Sequence, residues 1–347
     1  SPPPPDPAAE ELQALVASLA DASPAGELVA AARTLDQASA VVTFLDAASD
    51  KGLRGTVALT AARGRGKSAA LGLGIAGALA LGYSNIFVTA PSPDNVRTLF
   101  DFAARGLRAL GFSEHADFDL VEATSPDLAG AVVRLNVYRT HRQTVQFVLP
   151  HHADRVAASA ELLVIDEAAA IPLPLVRRLL GPYLVFLCST VNGYEGTGRS
   201  LSLKLLAQLR SEAAGGGGGG GGALGHPPPS SSAAAPRTFR EVTLADPIRY
   251  ARGDGVEAWL HGVLCLDAGT HLPPPPPALP PPGACSLYAV ERDTLFSGHA
   301  AAEAFLQTCV ALLTASHYRN SPDDLVMLAD APAHRLFVLL GPPRAAA

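Results

Sequence analysis

The run Ala61-Ala62-Arg63-Gly64-Arg65-Gly66-Lys67-Ser68 has the spelling of a loop that wraps phosphate. Phosphate oxygens are held by successive backbone N–H groups and by the start of the helix that follows. The backbone approaches that closely only where side chains are missing, which Gly64 and Gly66 provide. Lys67 is then expected to reach the β- and γ-phosphates, with the Ser68 hydroxyl on Mg²⁺. Ala61 stands where the strict G-x-x-x-x-G-K-[ST] form has its first glycine, a substitution that fits if the residue keeps a negative φ.

Further along, the apolar run Leu162-Leu163-Val164-Ile165 ends in Asp166 and Glu167. An acid at the C-terminal end of a buried strand faces the crevice where open parallel sheets bind ligands. Asp166 is the expected Mg²⁺ partner, directly or through water. Glu167 is placed to orient or deprotonate an attacking water. Alone, such a pair is an ordinary solvated strand end; downstream of a phosphate loop it completes a nucleotide–metal site. Residues 183–188 read as another buried strand. The polar, glycine-rich residues 189–199 after it are either a surface turn or a loop that senses the γ-phosphate.

These residues need a strand–loop–helix frame, and the chain supplies one. Residues 56–60 read as a short buried strand and 68–81 as a packed helix, too short to cross a membrane. Residues 86–90 form the next strand, ending at Pro91-Ser92-Pro93, after which Asp94 caps a helix through Arg97, Phe100 and Leu107. Residues 132–138 and 144–149 suggest a hairpin or strand pair, and 239–244 a strand returning to the same sheet. Residues 8–50 look helical, with Leu12, Val16 and Leu19 on one stripe.

Among 347 residues, 48% are hydrophobic and 17% charged, which describes a globular chain long enough for two domains. A net charge of −6 argues against indiscriminate nucleic-acid binding but leaves room for a local basic groove. Arg134, Arg139, Arg142 and Arg155, with His141, His151 and His152, are such a cluster in sequence; it reads as an RNA contact or as a solvated edge. Cys188, Cys265, Cys285 and Cys309 show no C-x-x-C spacing, so neither structural zinc nor a disulfide framework is expected, and a reducing compartment fits. Gly215–Gly222 with the Pro, Ser and Ala runs behind it, and the proline tract at 273–282, cannot bury enough apolar area to offset ordering entropy and read as flexible insertions.

Five blocks, in order, resemble the RNA cytidine acetyltransferases, enzymes that make N4-acetylcytidine in small-subunit rRNA and in tRNA. They are residues 59–68, with Ala61 in the family's own spelling; Asp166-Glu167-Ala168-Ala169-Ala170-Ile171-Pro172; residues 189–199; Ile248-Arg249-Tyr250-Ala251 with Gly253-Asp254; and His317-Tyr318-Arg319-Asn320-Ser321-Pro322 with Asp330-Ala331-Pro332-Ala333-His334. The resemblance covers nearly the whole chain outside its low-complexity tracts. It implies an α/β fold: a RecA-like P-loop NTPase with a central, mostly parallel sheet, then a linker region and the opening of a GNAT domain. The implied boundaries are a tail and helix over 1–28, the helicase module over 29–250 with an insertion at 212–236, a helical connector over 251–310 with a proline-rich insertion at 272–284, and the GNAT opening over 311–347.

Carried over by position, Gly64, Arg65, Gly66, Lys67 and Ser68 bind ATP, Ser68 and Asp166 hold Mg²⁺, Asp166 and Glu167 serve hydrolysis, and Arg249 completes the nucleotide site. Without the resemblance, Arg249 is simply a surface cation after Pro247. The resemblance further implies acetyl-CoA as acyl donor in the full-length enzyme, rRNA and tRNA as partners, an adaptor protein or guide RNA, a homodimer, no membrane, and a nuclear, nucleolar location. The R/Q-x-x-G-x-G/A loop that holds acetyl-CoA in GNAT domains is missing: Arg178-Leu179-Leu180-Gly181 begins like one, and Pro182 and Tyr183 break it. The expectation is a fragment, at most an ATPase by itself, whose acetyl-transfer site lies elsewhere. The rivals are a free-standing RNA helicase or translocase, and a binding module with a structural nucleotide.

Overall fold

The computed structural model describes residues 7–50, 55–124, 130–152, 156, 158–190, 206–207, 209–211, 238–268, 279–316 and 322–342. Contacts divide these into two compact units, the first running to Arg252 and the second from Gly253 onward.

The first unit is built on one eight-stranded sheet. Its strands are β1 (Gly55–Ala61), β2 (Asn85–Thr89), β3 (Phe118–Glu122), β4 (Val132–Val137), β5 (Gln143–Phe147), β6 (Leu162–Ile165), β7 (Leu184–Thr190) and β8 (Thr238–Leu244). They lie in the order β3-β4-β5-β2-β6-β7-β1-β8. β1 sits between β7 and β8, parallel to both, with Leu59 level with Cys188 and Val242. β2 is parallel to β5 and β6, and β6 to β7. The β3-β4 and β4-β5 pairs are antiparallel, which resolves residues 132–149 as a hairpin. Strands buried on both faces read as unbroken apolar runs, and β1, β6 and β7 are buried throughout.

Helices cover both faces. α1 (Pro7–Leu19), α2 (Ala25–Val29), α3 (Leu35–Ser49), α4 (Lys67–Ala80) and α5 (Arg97–Ala109) share one core with the sheet, where the rings of Phe44 and Phe186 meet at 4.4 Å. Leu12, Val16 and Leu19 of α1 pack against it. α6 (Leu173–Leu179) covers the other face through Val176 and Leu179, beside Ile165 and Leu187. α4 is buried nearly all round, and Gly72 lets α5 close on it: a Cβ there would lie 2.4 Å from the Leu99 carbonyl oxygen. A mostly parallel sheet sandwiched by helices, with its phosphate-loop strand in the interior, is the RecA-like α/β arrangement.

Two local expectations are corrected. Ser92, not Asp94, caps the segment leading into α5: Asn95 Oδ1 accepts from Ser92 N at 3.1 Å and Ser92 Oγ at 2.8 Å. Pro93 takes the first position of a 3₁₀ turn over Pro93–Val96, which puts the serine at the cap and Asp94 inside. Ser189 and Thr190 belong to β7 rather than to a loop, and both are buried. Residues 191–199, Arg155, the glycine tract, residues 273–278 of the proline tract and residues 317–321 lie outside the described residues.

The second unit holds α7 (Gly255–Val263), β9 (Ser286–Val290), α8 (Arg292–Leu295), α9 (Ala300–Ser316), α10 (Pro322–Asp330) and β10 (Leu336–Leu340). β9 and β10 pair antiparallel. Leu295, Leu306 and Ala311 form its small core. The cysteines are all free thiols. No helix among the described residues is long and apolar enough to cross a membrane.

Candidate nucleotide site

β1 delivers the chain to the C-terminal edge of the sheet, and Ala61 is its last extended residue, so the methyl group meets the condition set for it. Gly64 and Gly66 then take φ of +78° and +83°, in the left-handed region where a side chain is strained. Space is short as well: a Cβ on Gly66 would lie 2.6 Å from Gln37 Nε2 and 2.7 Å from Ile248 Cδ1. Lys67 opens α4, so this loop ends at a helix N-terminus aimed along the sheet edge.

The loop is fixed from two sides. Gln37 Nε2 donates to the Gly66 carbonyl at 3.1 Å. The backbone N–H groups of Ile248 and Arg249 donate to the Gly64 carbonyl at 3.0 and 3.1 Å. Arg249 therefore crosses Gly64, its Cβ 2.9 Å from where a glycine Cβ would stand, while the residue itself is exposed. Arg65 is half-buried within the loop.

β6 brings the acids alongside. The Ser68 hydroxyl donates to Asp166 Oδ2 at 2.8 Å, and Glu167 N–H donates to Asp166 Oδ1 at 2.9 Å. Lys67, 7% exposed, has its Nζ 3.7 Å from Glu167 Oε1. Thr190 Oγ1 donates to the other oxygen of Glu167 at 2.5 Å. Glu167 adopts φ 46°, the left-handed region, which turns the chain sharply off the strand end. Asp166 is 1% exposed, and its carboxyl is pushed up to about 6, by burial first and by Glu167 second, against the Ser68 hydrogen bond and Lys67. The Cys188 thiol on the neighbouring strand is pushed up too, by burial and then by Asp166.

Gly64, Arg65, Gly66, Lys67, Ser68, Asp166, Glu167 and Arg249 thus gather at one sheet edge. The chemistry of the donors fits a magnesium–nucleotide complex: a hydroxyl and a carboxylate are hard oxygen ligands, and a buried carboxyl with a raised pKa is short of positive charge. Among the described residues, no group of three or more His, Cys, Asp or Glu side chains forms a self-sufficient metal site. A metal that keeps phosphate and water ligands needs only one or two protein oxygens.

Among the described residues the basic cluster divides in two: Arg139, His141 and Arg142 precede β5, whereas His151 and His152 follow it, with Arg134 of β4 level with Gln146 near that second end of the strand. The Arg139 guanidinium stacks over Phe112 at 4.5 Å, and His141 Nε2 lies 2.9 Å from Ser84 Oγ. Thr190 lies at the start of the 189–199 stretch that the sequence offers as a γ-phosphate sensor or a surface turn, and it reaches Glu167 from the end of β7. Gln37 reaches the site through tertiary folding, and no local pattern marks it.

Residues 58–267 match the family model for the helicase domain of RNA cytidine acetyltransferase NAT10/TcmA, more than half of the chain. The chain belongs to the RNA cytidine acetyltransferase family. Residues 308–347 match the model of GNAT acetyltransferase 2. The chain is 56% identical over 336 residues to the RNA cytidine acetyltransferase of Mus musculus, covering 97% of this chain and 32% of the relative. It is 56% identical over 332 residues to that of Homo sapiens, covering 96% and 32%. For Saccharomyces cerevisiae the figures are 52% over 339 residues, covering 96% and 32%. This member of the family thus spans about a third of the length of the curated relatives it matches. Among solved structures, a large terminase from a thermophilic bacteriophage aligns at a TM-score of 0.40 and 13% identity, covering 66% of this chain and 49% of that one.

Proposed function

We propose that this chain is the ATP- and Mg²⁺-binding, helicase-like module of an RNA cytidine acetyltransferase that forms N4-acetylcytidine in rRNA and tRNA from acetyl-CoA. The observation that carries the reading is the Ser68–Asp166 contact of 2.8 Å directly beneath a glycine loop and a buried lysine. Ser68 and Asp166 would hold Mg²⁺, which when bound supplies positive charge to phosphate oxygens. The backbone of Gly64–Gly66 and the start of α4 would cradle the phosphates, and Lys67 would bring its charge to the β- and γ-oxygens. The forks of Arg65 and Arg249 suit phosphate oxygens. Glu167 would orient and deprotonate water, once its carboxylate is released from Thr190 and Lys67.

In the whole enzyme, turnover would expose the target cytosine, because a stacked base cannot enter a catalytic pocket. Its exocyclic amine would then attack the thioester carbonyl of acetyl-CoA, forming the N–C bond of the amide as the C–S bond breaks. CoA would leave as its thiol with the proton lost by the amine. The same reading carries a nucleolar location, an adaptor protein or guide RNA, and a homodimer as its expected setting. The test is titration with a fluorescent ATP analogue, with and without Mg²⁺, alongside RNA-stimulated hydrolysis. Wild type should bind and hydrolyse, and Lys67→Ala should lose at least about tenfold in affinity or turnover. Equal behaviour of the two proteins would sink the proposal.

A further inference from the structure

The first turn of α3 does more than start a helix. Thr34 is its cap and accepts from Gln37 N–H at 3.3 Å, while Asp36 Oδ1 accepts the same N–H at 2.8 Å and the Thr34 hydroxyl at 2.5 Å. The Gln37 N–H at the helix start therefore has its acceptors without the second oxygen of Asp36. That oxygen, Oδ2, accepts two successive backbone N–H groups of a distant loop, Ala245 at 2.6 Å and Asp246 at 2.8 Å. Hydrogen bonds to a carboxylate are about twice as strong as neutral ones. Pro247 follows with its φ fixed, and the next two N–H groups, of Ile248 and Arg249, close on the Gly64 carbonyl.

Gln37 is the other arm. It is 2% exposed, and both ends of its amide are engaged: Oε1 accepts from Arg33 N–H at 2.8 Å and Nε2 donates to the Gly66 carbonyl at 3.1 Å. Two adjacent residues of α3 thus grip the phosphate loop at Gly66 and the arginine loop at Ala245 and Asp246. Those two loops also grip each other at Gly64. The result is a closed ring of hydrogen bonds that ties α3, the phosphate loop and the arginine loop together. Both residues precede Ala58, where the match to the helicase-domain model begins.

We propose that Asp36 and Gln37 are positioning residues for nucleotide turnover, Asp36 setting the place of Arg249 and Gln37 the place of the phosphate loop. The inference rests on the nucleotide reading proposed above. Because Asp36 acts through Arg249, its removal should slow turnover while leaving nucleotide binding nearly intact. Gln37 acts on the loop that binds phosphate, so its loss should weaken binding.

The experiment uses the full chain, steady-state ATP hydrolysis and titration with a fluorescent ATP analogue, with circular dichroism to establish folding. Asp36→Ala should lower kcat about tenfold and change KM less than about threefold. Asp36→Asn, which keeps one oxygen for the two loop N–H groups, should recover most of that loss. Gln37→Met, close in size and apolar in a buried place, should raise the Kd about tenfold. In the background of Arg249→Ala, adding Asp36→Ala should cost less than about twofold more, since the two changes remove one effect. Multiplying losses in that double variant, or an unchanged kcat in Asp36→Ala, would overturn the assignment of Asp36. An unchanged Kd in folded Gln37→Met would overturn that of Gln37. If Asp36→Ala does not fold, Asp36→Ser takes its place with the same expected fall in kcat, and an unchanged kcat overturns the assignment. Failure of the wild type to bind ATP, or Lys67→Ala behaving as wild type, would instead remove the nucleotide reading and both assignments with it.

Discussion

At the scale of single residues, Asp166 concentrates the tension of the site. A carboxyl that ordinarily ionises near 3.8 is pushed up to about 6 by burial and by Glu167 beside it. The unfolded chain therefore gives up this proton at lower pH than the folded one. The group's contribution to stability is fully present below the unfolded value, is lost as pH rises toward about 6, and stays lost above that. Asp166→Asn removes the penalty. In thermal melts of the nucleotide-free protein the variant should gain roughly 5 °C over wild type at pH 7.5 and little at pH 4.5. A gain independent of pH would mean that the carboxyl is not the cause. Gly66 makes the opposite case, for a residue with no side chain to titrate. Gly66→Ala must hold a left-handed φ of +83° and push Gln37 and Ile248 aside, which should cost about 2–4 kcal/mol in urea unfolding and abolish binding of the fluorescent nucleotide.

At the scale of elements, the phosphate-bearing helix is secured at both ends. Its start is the glycine loop, and its far end is closed by a side chain from β5: Gln143 Nε2 donates to the Leu79 and Tyr83 carbonyls, each at 2.8 Å. Gln143 is buried, so Gln143→Leu would leave two carbonyls without that donor. A loss of about 2–4 kcal/mol in urea unfolding is expected, with nucleotide affinity in the folded fraction unchanged. Much of this layer was legible in the sequence. β1, β2, β6 and β7 were found because interior parallel strands are short apolar runs, and Lys67, Ser68 and Asp166 because the phosphate loop and the strand-end acid are local signals. β3 was missed because Phe118–Glu122 mixes Asp119 and Glu122 into a sheet-edge strand with no clear pattern. The spatial spread of the basic residues is not legible from their spacing, because β5 runs between residues 139–142 and 151–152. Asp36 and Gln37 were silent because their partners lie 29 to 210 positions away.

At the scale of the whole molecule, the groups named in the site fall within one compact unit. Asp36, Gln37, the loop at 64–68, Asp166, Glu167, Thr190 and Arg249 all precede Gly253, and so does the Arg252–Asp246 ion pair of 2.8 Å that anchors the arginine loop. The unit also has its own core, from Leu28 and Phe44 through Phe186 to Leu244. The second unit has a far smaller core, and Leu287, Phe337 and Leu339 of its two-stranded sheet are exposed. A chain ending at residue 252 should therefore fold alone and bind the fluorescent ATP analogue with a Kd within about threefold of the full chain, since no site group and no hydrogen bond of the ring has been removed. Melting of that shorter chain should shift upward with Mg²⁺ and nucleotide, by RT ln(1 + [L]/Kd) in free energy, and by the same amount as is expected for the full chain. A shortened protein that folds, melts cooperatively and yet binds more than about tenfold more weakly would show that residues beyond Arg252 supply part of the nucleotide site.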